Sequence, residues 1–103
     1  MKERKTMTKE ERKIDQRIRY LFKKYGITLE QYNEILQKQD GKCLICKFPA
    51  KFFKRCLAVD HDHRTGVIRG LLCNRCNRQL GWFESCEDAI KEYLYKNRIL
   101  YNI

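Results

Sequence analysis

Residues 59–77 read Val-Asp-His-Asp-His-Arg-Thr-Gly-Val-Ile-Arg-Gly-Leu-Leu-Cys-Asn-Arg-Cys-Asn, and this stretch decides the fold. Arg64-Thr65-Gly66 has the composition of a turn, the apolar run 52–59 leads into it as a strand, and 67–72 resumes an extended pattern after it. The three together predict a β-hairpin carrying Asp60-His61-Asp62-His63 near its tip. On a strand, alternate residues share a face, so Asp60 and Asp62 are expected on one side and His61 and His63 on the other unless the tip bends. The stretch closes on Cys73-x-x-Cys76, and a matching pair, Cys43-x-x-Cys46, lies upstream behind the helix-breaking Asp40-Gly41. Four thiolates so paired can converge on one tetrahedral zinc ion, which leaves no open coordination position and is therefore structural. The 26 residues between the pairs exceed ordinary finger spacing and imply an inserted functional element. Redox chemistry or a disulfide pair is the competing reading of these cysteines. Cys56 and Cys86 have no partner at ligand spacing and read as small buried hydrophobes.

Outward from this centre the chain reads as helices. Thr8 with Glu11 has the spacing of a capping box, apolar Ile14, Ile18, Leu21, Phe22 and Tyr25 follow at helical intervals, and Gly26 is the stop, predicting a helix over 9–25. Thr28 with Gln31 opens a second helix over 29–38, with Ile27 and Tyr32 as a hydrophobic staple and Leu29, Tyr32, Ile35 and Leu36 as its buried stripe. Residues 73–80 predict a short helix ended by Gly81. Ser85 then caps a last helix whose Ala89, Ile90, Tyr93 and Leu94 face inward. The fold class is α+β: a single domain over 1–103, with a helical pair (8–40), a zinc-bound core of two strands and a helix (43–81), and a C-terminal helix (85–99).

The chain has 103 residues and six cysteines, and a domain this small often adds a structural metal to a modest core. Its formal net charge of +10 points to a polyanionic partner, with +6 over residues 1–24 and +7 over 42–82. A solvated basic surface is the plain alternative. No stretch is apolar enough for a membrane span, and residues 1–5 run into charge rather than into a signal peptide, so the expected setting is cytoplasmic, where thiols stay reduced.

Both histidines of the chain, His61 and His63, lie between the cysteine pairs, interleaved with two aspartates. An imidazole exchanges protons near neutral pH and can act as a general base, while an aspartate suits the hard ions Mg²⁺ and Mn²⁺. Together they offer what phosphodiester hydrolysis needs. A polar turn, or ligands to a second zinc, is the bland reading of the same four residues. Arg69, Arg75 and Arg78 are candidate phosphate contacts.

Cys43-x-x-Cys46, Val59-Asp60-His61-Asp62-His63 and Gly66-x-x-Arg69-Gly70-Leu71-Leu72-Cys73-Asn74-x-Cys76-Asn77 resemble the phage recombination endonuclease VII family of His-Me finger (HNH-like) nucleases. The resemblance covers about 43–81, and Tyr25-Gly26-Ile27-Thr28 with the second helix is also similar. It implies a zinc-bound ββα-metal core, His61 as general base, Asp60 and Asn77 as ligands of a catalytic Mg²⁺ or Mn²⁺, and His63 near the scissile phosphate. The implied substrate is double-stranded or branched DNA, cut to leave 5′-phosphate and 3′-hydroxyl ends. The resolvase that names the family has a further C-terminal domain shaping its dimer, whereas this sequence closes soon after the core. A nicking or homing-type nuclease therefore fits as well as a junction resolvase, and a homodimer is left open. The rival reading from another class is a non-catalytic zinc module that binds nucleic acid. A zinc-stabilised protein-interaction domain would leave the positive charge without a purpose.

Overall fold

The computed structural model describes residues 6–101, with side chains to Lys96; the charged opening 1–5 and the last two residues of the expected 1–103 domain lie outside the described residues. The elements are α1 (Lys9–Tyr25), α2 (Leu29–Lys38), a 3-10 turn (Ala50–Phe52), β1 (Ala58–His61), β2 (Ile68–Leu72), α3 (Asn74–Ser85) and α4 (Glu87–Tyr101). This is the expected α+β order.

Local chemistry explains both N-terminal helices. Thr8 Oγ1 accepts from the Glu11 amide at 3.1 Å, and Gly26 closes α1 in the left-handed region at φ 69°, where a side chain would be strained. Thr28 and Gln31 form the full reciprocal box at 2.9 and 3.1 Å. Ile27 and Tyr32 are both buried, as a staple requires. Tyr32 then ties α2 to the segment entering β1, its hydroxyl donating to the Leu57 carbonyl at 2.6 Å.

The strand before the hairpin tip is shorter than its apolar composition suggests. Ala50, Phe52 and Phe53 spend their amides on Gly41 O (2.7 Å), Pro49 O (3.2 Å) and Ala50 O (3.1 Å), so they are unavailable to a ladder, and β1 begins only at Ala58. β1 and β2 pair antiparallel, from Ala58 opposite Leu72 to Asp60 opposite Gly70; the register then slips, placing His61 opposite Ile68 and leaving Arg69 as the extra residue of a β-bulge. The turn is built on Asp62, whose Oδ1 accepts the amides of Arg64 (2.7 Å) and Thr65 (3.1 Å), and on Gly66 at φ 77°. Downstream, α3 continues through Gly81 to Ser85, because a glycine with helical dihedrals costs about 1 kcal/mol and does not by itself end a helix. Ser85 is accordingly the last residue of α3, its hydroxyl donating to Trp82 O at 2.7 Å, rather than the cap of the next helix.

The core is Leu21, Ile27, Tyr32, Leu57, Val59, Leu71 and Leu72 together with Cys43, Cys73 and Cys76, so the cysteine cluster is part of the core itself. Gln39, at the end of α2, extends β2 with its side chain: its amide oxygen accepts from Leu71 N–H (2.8 Å) and its amide nitrogen donates to Leu71 O (3.0 Å). That places Gly70 hard against the knuckle, where a Cβ would lie 2.7 Å from Leu44 Cδ2. The outer helices bury less than their periodicity implies. Ile14, Ile18 and Phe22 on α1 and Tyr93 and Leu94 on α4 are exposed, Ala89 is exposed and Ile90 half-buried, in a molecule measuring 82 × 29 × 21 Å.

Candidate metal centre and active site

Three backbone features draw the four cysteines together. The knuckle turns on Lys47, in the left-handed region at φ 65°, and Lys47 N–H donates to Cys43 O at 3.0 Å. Cys73 caps α3, its Sγ accepting from Cys76 N–H, and Cys73 N–H donates to Cys43 Sγ, both at 3.4 Å. The four Sγ atoms lie within 4.8 Å of one another, with Cys46 and Cys73 at 4.0 Å. A tetrahedron with zinc–sulfur bonds of about 2.3 Å has edges of about 3.8 Å, so the donor set fits zinc in number, softness and size. Burial pushes the Cys43 thiol up, but amides of Cys73, Cys46 and Ile45 outweigh it and bring it down to about 6. Burial and the neighbouring thiols push Cys76 up to about 12. A dication held among them would remove that conflict by favouring the thiolate form of all four. Cys56 is exposed and Cys86 half-buried, so neither is the fully buried hydrophobe expected, and neither belongs to the cluster.

The bulge organises the hairpin tip. In an unbroken ladder Arg69 would stand opposite His61 and share its face; slipped by one residue, it turns to the face of Asp60 instead. There its guanidinium forks onto the buried carboxylate, Nε to Oδ2 at 2.7 Å and Nη2 to Oδ1 at 3.0 Å. The same guanidinium reaches Glu84 on α3, Nη2 to Oε1 at 3.0 Å and Nη1 to Oε2 at 3.2 Å. Arg69 is thereby held protonated well above the ordinary arginine range, first by Asp60 and then by Glu84, and its hydrogen bonds draw Glu84 below the usual carboxylate value. Arg69, expected to face phosphate, thus has both its charge and its fork engaged by carboxylates. Glu84 had no signal in the sequence, because it lies 15 residues away on a helix expected to end before it.

His61 and His63 do share a face, as alternation requires: their rings meet edge to face with centroids 4.9 Å apart. Asp62 departs from its expected place beside Asp60, bending into the turn as its cap. Tyr25, at the end of α1, packs its ring against His61 at 5.8 Å, a neighbour that periodicity assigned only to the apolar stripe. Asn77 is half-buried one residue beyond Cys76, its backbone N–H donating to Cys73 O at 2.9 Å, and α3 packs on both strands. Arg75 and Arg78 are exposed on α3, and among the described residues neither has an ion-pair partner.

The profile described as recombination endonuclease VII matches residues 17–96. The chain belongs to the recombination endonuclease VII family. Membership is matched by likeness to the Gene 59 protein of Mycobacterium phage L5, 49% identical over 74 residues, which is 68% of this chain and 44% of that protein. The Gene 59 protein of Mycobacterium phage D29 is 47% identical over 76 residues, 70% of this chain and 46% of that one. The chain thus spans a little under half the length of the curated relatives it matches. No solved structure matches it. The family match covers α1 from Arg17 as well as the hairpin and α3, so Tyr25 falls within it. No described helix is long and apolar enough to cross a membrane.

Proposed function

We propose that the chain is a metal-dependent DNA endonuclease of the host cell cytoplasm, with a zinc-bound ββα core over 43–81 between the helical pair 8–40 and the C-terminal helix Glu87–Tyr101. The observation that carries the reading is the face shared by His61 and His63, next in sequence to the buried Asp60, on a hairpin packed against the helix of Asn77. His61 is the general base that takes a proton from water, its ring steadied by Tyr25, and His63 stands beside the scissile phosphate. The oxygens of Asp60 and Asn77 are hard donors that fit Mg²⁺ or Mn²⁺. Such an ion, when bound, supplies positive charge against the phosphate and the leaving oxygen. For Asp60 to take it, Arg69 has to exchange partners, and a DNA phosphate is an anion its fork also fits. Arg75 and Arg78 contact the flanking backbone. The structural zinc holds Cys76, and with it the turn of Asn77, against the strands.

Double-stranded or branched DNA is the substrate, as resolvase or as nicking enzyme, acting as monomer or homodimer. The rival reading, a zinc module that binds nucleic acid without cutting it, draws on one observation, that both oxygens of Asp60 are engaged by Arg69. The two part on cleavage of supercoiled plasmid and of a synthetic four-way junction with Mg²⁺ or Mn²⁺. Cutting that is lost in His61→Ala and Asp60→Ala proteins of unchanged zinc content is expected. Intact substrates at protein concentrations that fully bind them establish the non-catalytic module.

A further inference from the structure

Two adjoining cavities lie beside the hairpin, of about 330 and 410 Å³, and both are lined by Lys54, Arg55 and Asn74. The smaller adds Arg75 and Arg78 from α3; the larger adds Arg17 from α1 and ends at Tyr25, the residue packed on His61. Basic side chains from three separate parts of the chain therefore meet along one surface, and no acidic residue lines either cavity. None of these five cations has a carboxylate within ion-pair distance among the described residues, whereas Arg69, on the same hairpin, is matched twice. Arg17 is fixed over the Tyr32 ring at 4.7 Å, and its Nη2 is buried without a hydrogen-bond partner. α3 also begins here, at Asn74, directing the positive end of a 12-residue helix at the same place.

Cations gathered from separated segments without carboxylates between them are costly to hold together, since they repel one another and gain no ion pair from the fold. A polyanion repays that cost. A single small anion would be met by one pocket, but here the charges continue from α3 across the 54–55 loop to Arg17 on α1, along a cavity that Tyr25 also lines. We infer that Lys54 and Arg55, with Arg17, Arg75 and Arg78, form a track for the sugar-phosphate backbone of DNA that leads a strand to the His61 face. This rests on the nuclease reading and names the surface by which its substrate is held; Lys54 and Arg55 carried no motif in the sequence.

The test is fluorescence anisotropy of a labelled 30-base-pair duplex with zinc-loaded protein, without added divalent ions, as a function of salt. Each phosphate that the protein ceases to neutralise lowers the slope of log Kobs against log salt by about 0.9. Lys54→Gln with Arg55→Gln, which keeps the side-chain stems of two exposed residues, is expected to flatten the slope by about 1.8. Arg75→Gln with Arg78→Gln provides an independent pair with the same expectation, and Arg55→Lys should restore its share. Lys91→Gln on α4, whose amine is already paired with Glu87 at 2.9 Å, should leave the slope as it was. Wild-type slopes in both double variants, or an equal flattening in Lys91→Gln, overturn the track even if the protein cuts DNA. Flattened slopes in a protein that binds but never cuts uphold the track and overturn the nuclease.

Discussion

Replacing Arg69 by Met removes the only cation within ion-pair distance of Asp60 among the described residues, while keeping most of the side-chain stem. Breaking a buried ion pair costs about 3–5 kcal/mol, because the remaining charge is left without compensation. The Asp60 side chain is 11% exposed and that of Arg69 34%, so water screens part of the loss; a cost of about 2–3 kcal/mol follows, between the buried and surface ranges. For a domain of this length each kcal/mol moves Tm by about 4–8 °C, so the variant should melt about 8–24 °C lower. Glu84→Gln removes only an exposed arm of the network and should lower Tm far less than Arg69→Met. Circular dichroism melts and urea titrations of zinc-loaded protein measure both. The variant also discriminates on metal. If Asp60 is the divalent ligand, millimolar Mg²⁺ or Mn²⁺ should raise the Tm of Arg69→Met more than that of wild type, because no guanidinium has to be displaced first. A variant within about 0.5 kcal/mol of wild type would show that Asp60 does not depend on the fork, against the reasoning from burial. Equal stabilisation of both proteins by the ion would refute the competition.

Three further outcomes are expected. Zinc binding in small fingers is worth on the order of 10–16 kcal/mol, as much as a whole small domain's stability, so verified removal of zinc, or Cys76→Ser, should abolish the cooperative melt; an unchanged near-ultraviolet spectrum after removal would contradict the assignment. Tyr32→Phe strands the Leu57 carbonyl that accepts its hydroxyl and should destabilise by about 1–3 kcal/mol in denaturant titration, with no loss meaning that water satisfies that carbonyl. The Asp62 carboxyl is held below its ordinary value by the amides of Arg64 and Thr65, so the turn's contribution is complete above the unfolded carboxyl value of about 3.9 and is lost as pH falls through the lower folded one. The Arg64 and Thr65 amide resonances should titrate with that lower midpoint and stop doing so in Asp62→Asn; a midpoint at or above about 3.9 would count against the capped turn.

Much of the site was legible before the fold was known, and the parts that were not share a cause. Thr8, Gly26, Thr28 and Gln31 mark helix ends through bonds spanning three or four residues, so α1 and α2 fall where their caps predict. Cys43-x-x-Cys46 and Cys73-x-x-Cys76 declare their joint purpose through chemistry that few other arrangements need. By contrast, composition made a strand of 52–57, where Pro49 and Ala50 claim the amides of Phe52 and Phe53. Gly81 read as a stop, although only a left-handed dihedral would have made it one. Periodicity gave α1 and α4 an inward face, but amphipathicity says which residues would be buried and not whether this chain supplies something to bury them.

The sequence alone therefore determined the class of the domain, its four-cysteine cluster, its hairpin and its family likeness, since each is encoded in short-range spacing or in an unusual combination of residue types. Only the tertiary structure decided the partners of the charges. A one-residue slip in the β1–β2 register moved Arg69 from the histidine face to the carboxylate of Asp60, and the extension of α3 brought Glu84 to meet it. Arg17, Lys54, Arg55, Arg75 and Arg78 share one surface for the same reason. Electrostatic pairing depends on distances of a few ångströms between residues far apart in the chain, and those distances exist only once the chain has folded.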